Sequence, residues 1–372
     1  MDSFMIRACL FALFVSSTLA ADHLWESIAG DFQPPAEYAG QFGDYATPLK
    51  FKDGRSVTTP EEWQQRRHEI LQDWHTLMGE WPPLVTKPHL EVLETTHREN
   101  FTQHRIRLQI APEQTGEGYL LIPDGKGPFP AVFVPFYEPE TSIGLAGKPL
   151  RDFAHQLTLR GFVTLSIGSP GGDARKPILT PGAQCQPLSY LGYVSANAWT
   201  ALSQRPEVDA KRIGIMGHSY GGKWAMFGAC LWDKYACGVW SDPGIVFDET
   251  RNSINYQEPW YLGLDPNMTR KPGLITADNP RTGVYKTLIE KGHDLVEFQA
   301  LMAPRPFLVS GGAEDPPKRW VPLNHLIRLN HLLGQEHGVA MTNRPDHSPT
   351  EDSNEHVYRF LEWALKPAPP SQ

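Results

Sequence analysis

Ile213-Gly214-Ile215-Met216-Gly217-His218-Ser219-Tyr220-Gly221-Gly222-Lys223 is the stretch on which the reading of this chain turns. An apolar run, 213–216, leads into a serine set between glycines, and a stretch of helical composition, 223–231, follows. Strand, tight turn and helix in that order lift a serine hydroxyl to the end of a strand and the head of a helix. The glycines let the backbone turn sharply and let neighbouring chain approach closely. The helix aims its amide dipoles at negative charge that develops beside the hydroxyl. Gly-x-Ser-x-Gly occurs often by chance. The strand before it and the second glycine after it make Ser219 the candidate nucleophile.

Working outward, alternating runs at 89–96, 102–110 and 118–122 read as strands separated by turns. Short apolar runs at 131–136, 162–167, 212–216, 239–241 and 307–310 read as buried strands. Helical segments at 150–160 and 189–204 lie among them. Strand and helix in alternation predict a mostly parallel central sheet flanked by helices on both faces. Before the sheet, Thr59-Pro60-Glu61-Glu62 is a helix start. It combines a capping hydroxyl, a proline in the first turn and acids at the positive end. Trp63, Ile70, Leu71, Trp74, Leu77 and Met78 continue it at helical spacing, and Gly79 and Pro82 end it. Residues 21–58 show no helical period and read as an arm lying on the body, so that 21–88 form an amino-terminal arm and helix. Residues 248–298 fit no single strand–helix unit and read as an insertion over the carboxyl edge of the sheet, near the active site. Open α/β sheets bind ligands at that edge. An amphipathic helix at 357–365 closes a single domain spanning 21–372.

A serine hydroxyl needs a base. In a fold of this kind the order along the chain is serine, acid, histidine. His347, in Arg344-Pro345-Asp346-His347-Ser348-Pro349 just ahead of the last helix, is the expected base. His356 falls inside that helix and reads as packing or surface. The strand 307–310 runs into Gly311-Gly312-Ala313-Glu314-Asp315-Pro316, and Asp315 is the expected acid. Glu314 beside it, and Asp242 after the strand 239–241, are the competitors. The oxyanion donors expected are the Tyr220 amide and an amide of the loop Pro135-Phe136-Tyr137, that of Phe136 or Tyr137, with Tyr137 preferred; Pro135 has no amide hydrogen. Within the insertion Glu258, Trp260 and Tyr261 could line a sugar site, since aromatic faces stack on sugar rings and carboxylates accept hydroxyl hydrogen bonds. The competing reading is that they hold the loop together. No His-Glu-x-x-His or comparable ligand cluster appears. Metal catalysis therefore has no sequence support, and nothing demands a cofactor.

The 372 residues are 40% hydrophobic and 20% charged, with a net charge of -8 and no block of like charges. Nucleic-acid binding has no electrostatic support in that pattern. Residues 1–20 differ from the rest: Arg7, an apolar run 8–15, then a small-residue ending at Thr18 and Ala20. This is the pattern of a signal peptide cut before Ala21, too short to span a bilayer, and it predicts a secreted or periplasmic protein free of the membrane once the signal is removed. Cys185, Cys230 and Cys237 would remain. They allow one Cys230–Cys237 bridge, or three buried thiols.

The elbow, the chain order of serine, carboxylate and histidine, and the segment Trp63…Arg66-Arg67…Gly79…Trp81-Pro82 resemble the α/β-hydrolase superfamily from about Thr59 to the end. The branch is that of dienelactone hydrolases, acetyl xylan esterases, prolyl oligopeptidases and glucuronoyl esterases. The resemblance implies a serine carboxylic ester hydrolase acting through an acyl-enzyme on a small-molecule or polysaccharide ester, such as an acetyl or glucuronoyl ester. The alternatives are a peptidase or amidase using the same residues, or an inactive fold serving as a binding protein. Lys223, four residues after the serine, matches a lysine that contacts sugar hydroxyls in glucuronoyl esterases; packing along its stem is the other reading. Ala300-Leu301-Met302-Ala303-Pro304-Arg305-Pro306 also resembles those enzymes. His218 and Tyr220 stand where they usually carry Cys and Arg.

Overall fold

Alternation of apolar side chains along the central strands places them in two separate cores. On Phe129–Phe133, Ala131 and Phe133 enter one core while Val132 enters the other; on Phe307–Gly311, Phe307 and Val309 oppose Leu308 in the same way. A strand with period two buried on both faces needs a cover on each side. The computed structural model describes residues 23–366 and supplies those covers. The predicted signal segment and the proline-rich tail lie outside the described residues.

Among the described residues the sheet has nine strands: β1 (Leu90–Arg98), β2 (Phe101–Ala111), β3 (Gln114–Pro123), β4 (Phe129–Phe133), β5 (Val163–Ile167), β6 (Val208–His218), β7 (Gly238–Ser241), β8 (Phe307–Gly311) and β9 (Val339–Asn343). Their order is β1-β2-β3-β5-β4-β6-β7-β8-β9. The first four in that order pair antiparallel, and the rest, from β5 to β9, pair parallel. The chain therefore has the α/β-hydrolase architecture expected of it. β9 was not anticipated, because Val-Ala-Met-Thr-Asn is short and has no alternation of its own.

Among the described residues the main helices are α1 (Pro60–Met78), α2 (Phe153–Leu159), α3 (Pro187–Ser203), α4 (Tyr220–Leu231), α5 (Gly283–Glu290), α6 (Leu295–Gln299), α7 (Trp320–Leu332) and α8 (Glu351–Leu365). α1, α3 and α4 supply Trp63, Trp74, Leu191 and Phe227 to the larger core; α2 and α8 supply Phe153, Leu157, Val357 and Leu361 to the other. Thr59 caps α1 through a 3.2 Å bond from the Glu62 amide, and Glu62 reaches back to the Thr58 amide at 2.8 Å. The capping hydroxyl and an acid of the first turn are thus both engaged where the sequence places a helix start. The arm before α1 lies on the body. Asn324 donates to the carbonyls of Tyr38 and Gln41 at 2.8 and 2.7 Å, and Phe32 and Phe51 are buried.

The long connection from β7 to β8 contains α5 and α6. Its Tyr261 carbonyl accepts from the Leu188 amide at the head of α3, at 3.1 Å, and the Tyr261 ring lies 6.1 Å from that of Tyr220. The connection thus sits beside the carboxyl ends of the strands. Cys185, Cys230 and Cys237 are free and buried, the second of the two readings. Burial pushes the Cys185 thiol up to about 11 and that of Cys230 up to about 12. Among the described residues no helix is long and apolar enough to cross a membrane.

Candidate active site

β6 ends at His218, α4 begins at Tyr220, and Ser219 between them has φ 57° and ψ -116°. A non-glycine residue held there is strained, and the surroundings must enforce it. Two glycines make it feasible. A Cβ at Gly217 would lie 2.0 Å from the Gly221 carbonyl oxygen, and one at Gly221 would lie 2.4 Å from the Pro135 carbonyl oxygen. The Ser219 amide is tied to the Ser241 carbonyl of neighbouring β7 at 2.8 Å. The side chain is partly exposed at the head of the buried helix α4.

His347 comes from the loop between β9 and α8. Its Nε2 lies 2.9 Å from Ser219 Oγ, and its Nδ1 lies 2.7 Å from Asp242 Oδ2. Serine, imidazole and carboxylate therefore form one continuous hydrogen-bonded chain. Asp242 is fully buried. Its Oδ1 accepts from the amides of Gly312, Glu314 and Asp315 at 2.7, 3.0 and 2.8 Å. Burial pushes this carboxyl up, but bonds from His347 and the Asp315 amide outweigh burial and hold it below the usual carboxylate range.

Asp315, the acid expected from the sequence, is not in this chain. Its carboxylate accepts from the amides of Gly244 and Ile245 at 2.8 and 2.7 Å. Arg319 Nε lies 3.7 Å away. Each aspartate thus grips the other's loop: Asp242 holds the loop after β8, and Asp315 holds the loop after β7. Ser241 and Ser310 are register partners, so both acids start from adjacent strand ends. The turn taken at Asp242, with φ 53°, is what sends its carboxylate to the histidine. Glu314 is engaged elsewhere, accepting from Ser253 Oγ at 2.6 Å and Arg251 Nε at 3.2 Å.

On the oxyanion side, Tyr220 opens α4, so its amide is among the helix's first-turn donors. The Phe136 amide donates to the Ile167 carbonyl at 3.3 Å. Of the two loop amides considered, that leaves Tyr137. The Tyr137 ring stands 4.8 Å from that of Tyr220, whose hydroxyl lies 3.0 Å from Ser169 Oγ.

Two residues expected at a sugar site are placed otherwise. Lys223 is 3% exposed. Its ammonium donates to the Pro243 carbonyl and lies 4.4 Å from the centre of the Tyr256 ring. Burial pulls it down to about 8 against the pull of Asp315, Glu314 and Asp242. It braces the loop that carries Asp242 and offers nothing to solvent. Glu258 is 2% exposed, paired with buried Arg270 at 3.0 Å and accepting from the Gly273 amide at 2.8 Å. It holds the insertion together, the alternative already open for it. Trp260 is half-buried, with the Arg175 guanidinium 5.9 Å from its ring centre. It remains open to a ligand.

Arg344, three residues before His347, also belongs to the site: it is 6% exposed, and its Nη2 donates to the His347 carbonyl at 2.8 Å. An arginine in a polar loop carries no mark in sequence that says it is buried.

Known proteins agree with this architecture. The model of the prolyl oligopeptidase family matches residues 195–365, the part of the chain that carries Ser219, Asp242 and His347. No curated protein matches the chain in sequence. A glucuronoyl esterase from Solibacter usitatus superposes with a TM-score of 0.67 at 17% identity, covering 86% of this chain and 97% of that one. A carbohydrate esterase family 15 glucuronoyl esterase from Caldicellulosiruptor kristjansonii gives 0.62 at 17% identity, over 90% and 93%. A putative acetyl xylan esterase from Bacteroides fragilis gives 0.55 at 16% identity, over 84% and 86%. At such identities the likeness is one of fold.

Proposed function

We propose that this chain is a serine hydrolase that cleaves carboxylic esters through an acyl-enzyme, with Ser219, His347 and Asp242 as its catalytic residues. The observation that carries the reading is the unbroken relay Ser219 Oγ, His347 Nε2, His347 Nδ1, Asp242 Oδ2, with contacts of 2.9 and 2.7 Å. His347 takes the hydroxyl proton on Nε2 as Ser219 Oγ attacks the ester carbonyl. Asp242 keeps the other proton on Nδ1 and stabilises the imidazolium that forms. The tetrahedral oxyanion sits between the amides of Tyr220 and Tyr137, each such donor being worth about 3 kcal/mol of barrier. Collapse expels the alcohol, which leaves with the proton from Nε2. Water then repeats the sequence on the acyl-enzyme.

The substrate proposed is a carbohydrate ester, acetylated or glucuronoylated. The fold neighbours named as glucuronoyl and acetyl xylan esterases support this, as does half-buried Trp260 with Arg175 across its face. The amino-terminal pattern supports export as a secreted or periplasmic enzyme. The test is a panel on the purified protein: an aryl acetate, acetylated xylan, a glucuronate methyl ester and a peptide anilide, with fluorophosphonate labelling. Expected are labelling of Ser219, turnover of the aryl acetate and at least one carbohydrate ester, and loss of both in Ser219→Ala. Turnover of the anilide alone would favour the peptidase reading that the family match suggests. Absence of both labelling and turnover would leave a binding protein on this fold.

A further inference from the structure

The guanidinium of Arg344 sits behind the histidine loop with its nitrogens committed in several directions. Nε donates to the Ser348 carbonyl at 3.0 Å, and Nη2 to the His347 carbonyl at 2.8 Å. Nη1 donates to the Ser310 carbonyl at 2.8 Å and to Ser310 Oγ at 3.0 Å. Nη2 also lies 3.3 Å from Ser241 Oγ. The main chain adds a bond from the Arg344 amide to the Gly311 carbonyl, 3.0 Å. One buried fork thus joins the loop that carries His347 to the ends of β7 and β8, whose next residues begin the loops of Asp242 and Asp315. A lysine offers its donors from a single point and has no second arm with which to make both sets of contacts.

Ser241 extends the connection. Its carbonyl accepts from the Ser219 amide at 2.8 Å, and its hydroxyl lies 3.1 Å from Nδ1 of His218. The Ser241 hydroxyl thus meets Arg344 on one side and the His218 ring on the other. The His218 ring is buried, 4.8 Å from the His347 ring and tilted 34° to it. Burial, reinforced by the charges of His347 and Arg344, pushes His218 well below the ordinary histidine range. A neutral ring can back an imidazolium without repelling it.

We propose that Arg344 is a positioning residue for the base, holding His347 in line with both Ser219 and Asp242, and that His218, oriented through Ser241, is the backstop against which that imidazole rests. The assignment rests on the reading of Ser219, His347 and Asp242 as catalytic. Misplacing a catalytic group by about 1 Å costs on the order of 100-fold in rate. Arg344→Met is therefore expected to lose about 100-fold in kcat on an aryl acetate with KM within about threefold.

The experiment compares wild type, Arg344→Met, Arg344→Lys and Ser241→Ala, each checked for folding by circular dichroism. Proton NMR follows the far-downfield signal of the Nδ1 proton shared with Asp242. Expected are a sharp signal in wild type, its broadening in Arg344→Met, poor recovery by lysine, and partial rescue of kcat by added guanidinium ion. Full kcat with an undisturbed signal in Arg344→Met would overturn the proposal. If that variant does not fold, Arg344→Lys decides: wild-type kcat and signal there overturn it, and loss of both with the fold intact supports it. Ser241→Ala separates the backstop, and an unchanged signal there removes His218 from the account. The NMR arm reads the geometry without turnover, so a wild type that keeps the signal yet neither labels nor hydrolyses esters refutes the functional reading and spares the positioning.

Discussion

Replacing Asp242 by Asn exchanges one carboxylate oxygen for an amide nitrogen and leaves the shape almost unchanged. The surroundings dictate which way the new side chain points. Oδ1 faces three backbone N–H groups, those of Gly312, Glu314 and Asp315, at 2.7 to 3.0 Å. An NH2 group cannot face three donors, so the amide oxygen must take that position. The nitrogen is then forced to the Oδ2 position, 2.7 Å from His347 Nδ1, where it donates. His347 must accept on Nδ1 and carry its proton on Nε2, facing Ser219 Oγ, and in that tautomer it cannot take the serine proton. The expected loss in kcat is about 10³–10⁴-fold, or about 4–5.5 kcal/mol of barrier. Asp315→Asn changes no atom in contact with His347 and should cost no more than about tenfold, through slack in the loop of Gly244 and Ile245. The assay is steady-state hydrolysis of an aryl acetate, with fluorophosphonate labelling rates and melting curves to exclude unfolding. If Asp242→Asn keeps more than a tenth of wild-type kcat while Asp315→Asn loses the larger factor, the assignment of the acid is wrong.

Gly217→Ala would drive a Cβ to 2.0 Å from the Gly221 carbonyl oxygen, and a urea midpoint should record a loss of about 3 kcal/mol; an unchanged midpoint would show that the elbow can relax. Burial and the neighbouring Asp242 push Asp315 up to about 6, so the folded protein binds this proton more tightly than the unfolded chain does. Relative to Asp315→Asn, the wild type should therefore lose about 3 kcal/mol of stability as pH rises from about 4 through about 6, levelling off above about 7. Denaturant midpoints of the two proteins across that range check the sign, and a gap moving the other way contradicts it. Lys223→Met removes the ammonium bound to the Pro243 carbonyl but keeps an apolar stem. It should lower the melting temperature while leaving KM for a sugar ester within about twofold, and a tenfold rise in KM would return Lys223 to the sugar site.

Elements encoded by local chemistry were legible before any folding. The elbow at Ser219 was legible because only glycine fits at 217 and 221 and because an apolar run precedes the turn. The start of α1 was legible because Thr59, Pro60 and Glu62 act within one turn of chain. His347 was legible by its place before the closing helix. The identity of the acid was not, because Asp242 and Asp315 follow adjacent parallel strands and both have aspartate's chemistry. Which one reaches His347 depends on the backbone turn at Asp242 and on three amides from a loop some seventy residues away in the chain. Burial likewise decided Lys223, Glu258 and Arg344, since a charged side chain reads the same in sequence whether it meets solvent or a carbonyl in the core. Local sequence specifies conformation within a turn or two, and only the packed structure brings distant donors and acceptors together and excludes the water that would otherwise satisfy them.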